Sequence, residues 1–194
     1  MTEPFSTADK AFMRRALELA HEGEKLGEVP VGAVVVANGM VVGEGFNAPI
    51  SRHEPTAHAE VMALRDAASR LANYRLDEAT LYVTLEPCTM CVGALVHARV
   101  ARVVFAATEP KAGSLTSARR QLESGYYNHV FVWQGGLLAD EAGEMLSAFF
   151  RRRRAEQKVA ASMLPDGAEE EGSHVTPDAT GGPLEGASPT TESE

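Results

Sequence analysis

Cysteine is nearly absent from this chain: there are two in 194 residues, Cys88 and Cys91. Such a pair cannot staple a small fold, which excludes a disulfide-built secreted scaffold and points to a reducing, cytoplasmic home. Long apolar runs are also missing. The least polar stretch, Val29 to Gly43, is broken by Pro30, Gly32, Asn38 and Gly39 and falls short of the roughly 20 residues that a bilayer-spanning helix needs. No membrane association is expected. The opening Met1-Thr2-Glu3-Pro4-Phe5 has no basic segment leading into an apolar one, so no secretory signal is expected. Lys and Arg are absent from Met163 to Glu194, where eight of the 27 acidic residues lie. The other 19 acids face all 18 Lys and Arg, so the net charge of −9 belongs mostly to the tail and the body is close to neutral. From Pro165 onward Gly, Pro, Ser, Thr and Glu dominate and aromatics vanish. That composition cannot bury enough apolar surface to offset the entropy of ordering. The expected organisation is one folded domain over residues 1–161 and a disordered acidic tail over 162–194.

Within the body, 44% hydrophobic residues across the chain suffice for a core. Ser6 to Asp9 reads as a capping-box variant opening a helix whose apolar face includes Phe12, Ala16, Leu19 and Ala20. The β-branched runs Ala33 to Ala37 and Met40 to Glu44 are joined by Asn38-Gly39, the strongest short hairpin signal. A loop holding Pro49 and Pro55 leads to a helix over about 57–71. A strand over 80–85 ends at Glu86-Pro87, followed by a helix over about 88–97 and a strand over 102–106. A last strand over 130–134 and a long helix over about 138–161 close the body. Strands that alternate with helices after an opening hairpin predict an α/β fold with helices on both faces of the sheet.

Two short segments carry chemistry: His58-Ala59-Glu60 and Pro87-Cys88-Thr89-Met90-Cys91. Alone, each is weak. A His at a helix start is usually a cap or a packing residue, and a CxxC can be a redox pair, half a structural zinc site or two buried thiols. In this order, each opening a helix, they match the signature H-x-E…P-C-x-x-C of zinc nucleobase deaminases. Cys88 and Cys91 lie on one helical face, so both sulfurs can reach one ion. The positive end of the helix dipole favours the thiolates. With His58 the protein supplies three ligands and leaves the fourth tetrahedral position to water, the arrangement of a catalytic zinc. The five other histidines leave a fourth protein ligand open. His58 and Glu60 can face one site only if the helix begins near them, where side chains project along its axis. Glu60 is then the carboxylate that takes and returns the water's proton; otherwise it is an ordinary first-turn acid favoured by the dipole.

At these residues the chain resembles the bacterial tRNA-specific adenosine deaminase family. The resemblance rests on Val29-Pro30-Val31-Gly32-Ala33, Asn47 to Ile50, His53 to Glu60, Asn73 to Leu76 and Thr80 to Cys91. It continues through Arg102 to Phe105, Asn128-His129, Gly136 to Leu138 and Phe149 to Arg151, and so spans the body to about residue 158. It implies a three-layer α/β/α deaminase fold with a central mixed sheet of about five strands, and a homodimer. It further implies one Zn²⁺ per subunit on His58, Cys88 and Cys91. The implied reaction is hydrolytic deamination of adenosine to inosine at the wobble position of a tRNA anticodon loop, by a zinc-activated water with Glu60 as proton shuttle. Asn47 sits where the family binds the flipped nucleoside.

The family grips the anticodon stem-loop with the segment after the fourth strand and with the last helix. Here that segment reads Thr108-Glu109-Pro110-Lys111-Ala112-Gly113-Ser114, about three residues shorter than the usual pattern, and Glu109 and Lys111 are the candidate contacts. On the last helix Phe149, Phe150 and Arg151 to Arg154 can stack bases and meet phosphates, with Phe149, Arg151 and Arg152 as the candidates. One of the two phenylalanines is expected in the core. Two other readings compete. The first is a deaminase of a free nucleoside, nucleotide or base of the cytidine or guanine type, which would share motif and mechanism. The second is a catalytically silent RNA-binding zinc module, against which Glu60 speaks because a structural site needs no such carboxylate.

Overall fold

The computed structural model describes residues 5–162; the expected acidic tail lies outside the described residues, except for Ser162. Helix α1 (Thr7–Lys25) starts at the capping box: the Asp9 N–H donates to the Ser6 hydroxyl at 3.0 Å, and the Ser6 N–H donates to the Asp9 carboxylate at 2.8 Å. Strands β1 (Gly32–Ala37) and β2 (Met40–Phe46) form the hairpin. Its two central residues, Asn38 and Gly39, both have positive φ, 52° and 74°, as the tight primed turn requires. Then come α2 (Pro49–Arg52), α3 (Ala59–Leu71), β3 (Thr80–Leu85), α4 (Thr89–His97) and β4 (Arg102–Ala107). A 3₁₀ turn (Gln121–Ser124), β5 (Val132–Gly135) and α5 (Ala139–Ser162) complete the described chain.

The five strands form one mixed sheet in the order β2-β1-β3-β4-β5. β1 pairs antiparallel with both β2 and β3, whereas β3, β4 and β5 run parallel. A two-residue turn can join only antiparallel neighbours, while the helical crossover through α4 returns the chain parallel. Side-chain alternation along the strands builds two cores. Val34, Val36, Tyr82 and Val104 pack with Met13, Ala16 and Leu17 of α1 and Ala142 of α5. Ala33, Val35, Leu81, Val83, Val103 and Phe105 pack with α3 and α4 on the other face. The result is the expected α/β/α sandwich, and it puts α3 and α4 side by side on one layer. Gly45 of β2 sets the height of α3: a Cβ there would lie 2.5 Å from the Ala63 nitrogen and 2.7 Å from the Ala59 oxygen. No side chain larger than hydrogen fits between that strand and the start of the helix.

Asp9 ties this architecture together. Its buried carboxylate accepts from the Tyr82 hydroxyl at 2.6 Å and from the Arg102 guanidinium at 2.7 Å, and Arg102 also donates to Gln134 at 2.6 Å. Burial alone would raise the Asp9 pKa, but Arg102, Tyr82 and Ser6 outweigh it and hold the carboxyl well below its ordinary range. The same contact and its burial push the Tyr82 phenol above its usual value.

Three features depart from expectation. β5 lies two residues later at its start and one at its end than the 130–134 segment. The short α2 occupies chain expected as a loop. It is organised from a distance by Glu28, whose fully buried carboxylate accepts from the Ser51 N–H at 2.7 Å and the Ile50 N–H at 3.4 Å. The 3₁₀ turn likewise falls within a segment without periodicity.

Candidate active site

His58 and Cys88 hold equivalent places. Each is the N-cap of its helix in extended conformation, at φ −75°, ψ 153° for His58 and φ −78°, ψ 174° for Cys88. Neither side chain is used to cap its own helix, so both project beyond the helix ends toward one point. Cys91, fully buried in the first turn of α4, joins them. The two sulfurs are 3.6 Å apart, and the His58 Nδ1 lies 3.7 Å from the Cys88 sulfur and 3.5 Å from the Cys91 sulfur.

These distances fit zinc. A tetrahedral ion with bonds of ~2.3 Å to sulfur and ~2.05 Å to nitrogen separates sulfurs by about 3.8 Å and sulfur from nitrogen by about 3.6 Å. Among the described residues no fourth His, Cys, Asp or Glu joins the cluster, the arrangement of a site that keeps one position for substrate chemistry. The Cys88 thiol is pulled down to about 4 by its hydrogen bond with Cys91, with His58 adding to the effect. Cys91 is pushed up in return, first by that same bond and then by burial. A dication held here by His58, Cys88 and Cys91 would favour both sulfurs as thiolates.

Glu60 is the second residue of α3 and is 4% exposed. Because α3 begins at Ala59, His58 stands outside the helix and Glu60 inside its first turn. This is the condition under which residues two apart can serve one site. Burial raises the Glu60 pKa above that of an ordinary carboxylate, and the neighbouring Cys88 raises it further. A buried carboxyl shifted toward neutrality beside a metal cluster is suited to taking up and giving back a proton.

The remaining candidates are placed unevenly. Asn47 is at the site: its Oδ1 accepts from the Ala59 N–H at 2.9 Å, beside His58, and among the described residues nothing engages its Nδ2. The loop carrying Glu109 and Lys111 runs alongside Cys88, which forms an isolated β-bridge with Gly113. Glu109 lines a cleft of about 260 Å³ with Val29, Leu85, Thr108, Ser147 and Phe150, while Lys111 is exposed and its N–H donates to Glu109 at 2.9 Å. Phe149 requires correction as a stacking candidate: it is 6% exposed, whereas Phe150, edge-on to it at 5.4 Å, is 45% exposed and reaches the cleft. Arg152 is ion-paired with Glu24 of α1. Among the described residues Arg151 has no ionic partner. Two buried carboxylates received no role from sequence, Glu28 and Glu86. The available signal was an acid set against an apolar strand, since a buried charge needs partners.

A zinc triad at two helix starts, with a buried carboxylate beside it on an α/β/α sandwich, defines the class of zinc-dependent nucleobase deaminases. The chain belongs to the family described as the cytidine and deoxycytidylate deaminase zinc-binding region, whose model matches residues 6–107. Within that class it is 48% identical over 160 residues to the tRNA-specific adenosine deaminase of Haemophilus influenzae, covering 82% of this chain and 92% of that one. It is 42% identical to the Bacillus subtilis protein of the same name, covering 82% and 99%. A solved structure from a study of A-to-I editing by tRNA:A34 deaminases at the wobble position of transfer RNA superposes with a TM-score of 0.69 at 39% identity, over 70% of this chain and 99% of that one. Guanine deaminase from Nitrosomonas europaea has a TM-score of 0.65 but 25% identity, over 76% and 88%.

Proposed function

We propose that this chain converts adenosine to inosine at the wobble position of a tRNA anticodon loop, releasing ammonia and consuming one water. The observation that carries the reading is the convergence of His58, Cys88 and Cys91 with the buried Glu60, in a chain 48% identical to a tRNA-specific adenosine deaminase. Zinc, when bound, lowers the pKa of water and so supplies a nucleophile at neutral pH. His58, Cys88 and Cys91 hold it. Glu60 would take one proton from the attacking water and pass it to the N1 position of the ring. It would then take the remaining proton from the hydroxyl added at C6 and give it to the departing amine, so that the C6–N bond breaks as the carbonyl of inosine forms and ammonia leaves. Its raised pKa suits both directions of transfer. The free Nδ2 of Asn47 is a donor for the flipped nucleoside. Phe150 and Glu109 line the cleft where flanking nucleotides would lie, with Lys111 and Arg151 as nearby cations for phosphates. Identity of 48% to a tRNA-specific adenosine deaminase across 82% of this chain favours this substrate over the free-base reading.

The test is direct. Zinc-loaded protein is given an anticodon stem-loop with a wobble adenosine and, separately, free adenosine, cytidine and guanine. Inosine and ammonia should appear one for one with the stem-loop. Equal or greater kcat/KM on any free base or nucleoside overturns the reading.

A homodimer completes the proposal. Val61, Leu64, Ala68, Tyr74, Ala94 and Ala98 line an apolar groove of about 280 Å³ on the α3 and α4 layer, and Tyr74 is 73% exposed. Such a surface is suited to burial against a second copy. Sedimentation should give about twice the chain mass of 20.7 kDa; a monomer at micromolar concentration would refute it. No helix among the described residues is long and apolar enough to cross a membrane. From the proposed action on tRNA we infer a cytoplasmic location. The residues beyond Ser162 take no part in the proposed chemistry.

A further inference from the structure

Glu86 directly follows β3 and precedes Pro87 and the metal-site cysteines, yet it does not belong to the His58, Cys88 and Cys91 cluster. It is 3% exposed. Among the described residues all of its side-chain partners lie on one loop, the segment following β4. Oε1 accepts the backbone N–H of Leu115 at 3.0 Å, Thr116 at 2.7 Å and Ser117 at 3.0 Å. Oε2 accepts the Glu109 N–H at 3.2 Å and the Ser117 hydroxyl. The loop closes so tightly on the carboxylate that a Cβ on Gly113 would stand 2.4 Å from Oε2. Further contacts dock the same loop along the next three residues: the Ser114 N–H donates to the Pro87 carbonyl at 2.9 Å, and the Thr89 and Ser114 hydroxyls meet at 2.9 Å. A loop without helix or strand has no internal ladder to satisfy its backbone donors. Here one carboxylate satisfies four of them at once.

We infer that Glu86 is a positioning residue, a buried carboxylate clamp that fixes the 109–117 loop beside Cys88 and thereby sets affinity for the RNA substrate rather than the rate of the chemical step. The inference rests on the tRNA deaminase reading only in naming RNA as what the loop grips. Physically, an ionised carboxylate is an acceptor at every lone pair, whereas an amide of the same shape turns one oxygen into an NH₂ group. Glu86→Gln therefore sets a donor against the Glu109 N–H and loosens the end of the loop that carries Glu109 and Lys111.

The experiment compares the full-length zinc-loaded protein with Glu86→Gln and with the milder Ser117→Ala, which removes one donor from the loop side only. Four quantities are read: zinc content, amide hydrogen exchange over 109–117, and KM and kcat on the anticodon stem-loop. In Glu86→Gln, zinc stays at one per chain, exchange at Glu109, Leu115, Thr116 and Ser117 speeds up at least tenfold, KM rises about tenfold and kcat changes less than threefold. Ser117→Ala moves KM and exchange in the same direction by a smaller factor. Loss of zinc with unchanged loop exchange in Glu86→Gln would make Glu86 a support of the metal helix and overturn the inference. Faster exchange with an unchanged KM, or a fall in kcat alone, would overturn it too. If the unmodified protein fails to deaminate the stem-loop, the tRNA reading falls, and exchange and zinc content still decide whether Glu86 clamps the loop.

Discussion

Under the proposed mechanism, Glu60 is the position where one atom should change the chemistry without changing the fold. Its carboxyl is buried and raised in pKa, and it is not within the ligand set. Glu60→Gln keeps size and polarity but cannot accept a proton. Zinc content, measured by atomic absorption, should stay at one per chain while turnover falls by about 100- to 10,000-fold, the range for loss of a general base. A variant that loses its zinc instead would make Glu60 a support of the metal site. At this scale much was legible from the sequence. The spacing of His58, Glu60, Cys88 and Cys91 carries its chemistry openly, because metal ligands at helix starts require particular residue types at particular offsets. The burial of Phe149 and the pairing of Arg152 with Glu24 were not legible, since both depend on where α5 meets the rest of the body.

Elements place those residues, and two contacts between elements make this measurable. Gly45→Ala would drive a methyl group into the backbone of α3 at Ala59 and Ala63. Overpacking of this kind costs about 1–3 kcal/mol, so the melting temperature should fall by roughly 3–10 °C. Zinc affinity should fall as well, because the displaced turn carries His58 and Glu60. An unchanged melting temperature would mean that α3 does not sit against β2 as described. The second contact joins α1 to β3 and β4 through Asp9. Its pKa in the folded chain is depressed below the ordinary 3.8, so the unfolded chain binds protons first as pH falls. The stability that Asp9 contributes is present in full above about pH 5 and is lost progressively below about pH 4. Asp9→Asn should be less stable at pH 7 by about 1.5–3 kcal/mol, the worth of hydrogen bonds to charged groups. The gap in denaturant stability should shrink steadily from pH 5 toward pH 2; a constant gap would sink this account. Elements with a local signal were readable in advance: the Ser6–Asp9 capping box, the Asn38-Gly39 turn and the alternating strands. α2 and the 109–117 loop were not, because Glu28 and Glu86, far away in sequence, hold them.

For the whole molecule the informative quantity is where charge is left unpaired. Net charge is −9, yet eight acids lie beyond Met163 and the rest of the chain is nearly balanced. An RNA-binding protein whose body has no net positive charge must concentrate the cations it has. From Arg151 to Ser162 every residue of α5 is exposed, so this end of the helix projects from the body. Of its four consecutive arginines, Arg152 is tied to Glu24 and Arg153 lies 3.8 Å from Glu156. Arg151 and Arg154 have no ionic partner among the described residues. Each of these two can therefore meet a phosphate and release its condensed counterion without first breaking an ion pair. Replacing both with Ala should weaken binding of the anticodon stem-loop and reduce the slope of log affinity against log salt by roughly 1.5, which is two phosphate contacts at ~0.7–0.9 each. Arg152→Ala should change that slope much less. Removing residues 163–194, with their eight acids, should raise affinity slightly at low salt. At physiological ionic strength, where the screening length is about 8 Å, it should leave affinity and turnover unchanged. Fluorescence anisotropy across a salt series separates these cases. An unchanged slope in the Arg151/Arg154 variant, or an equal loss on removing Arg152 alone, would show that the projecting helix does not contact RNA through its unpaired arginines.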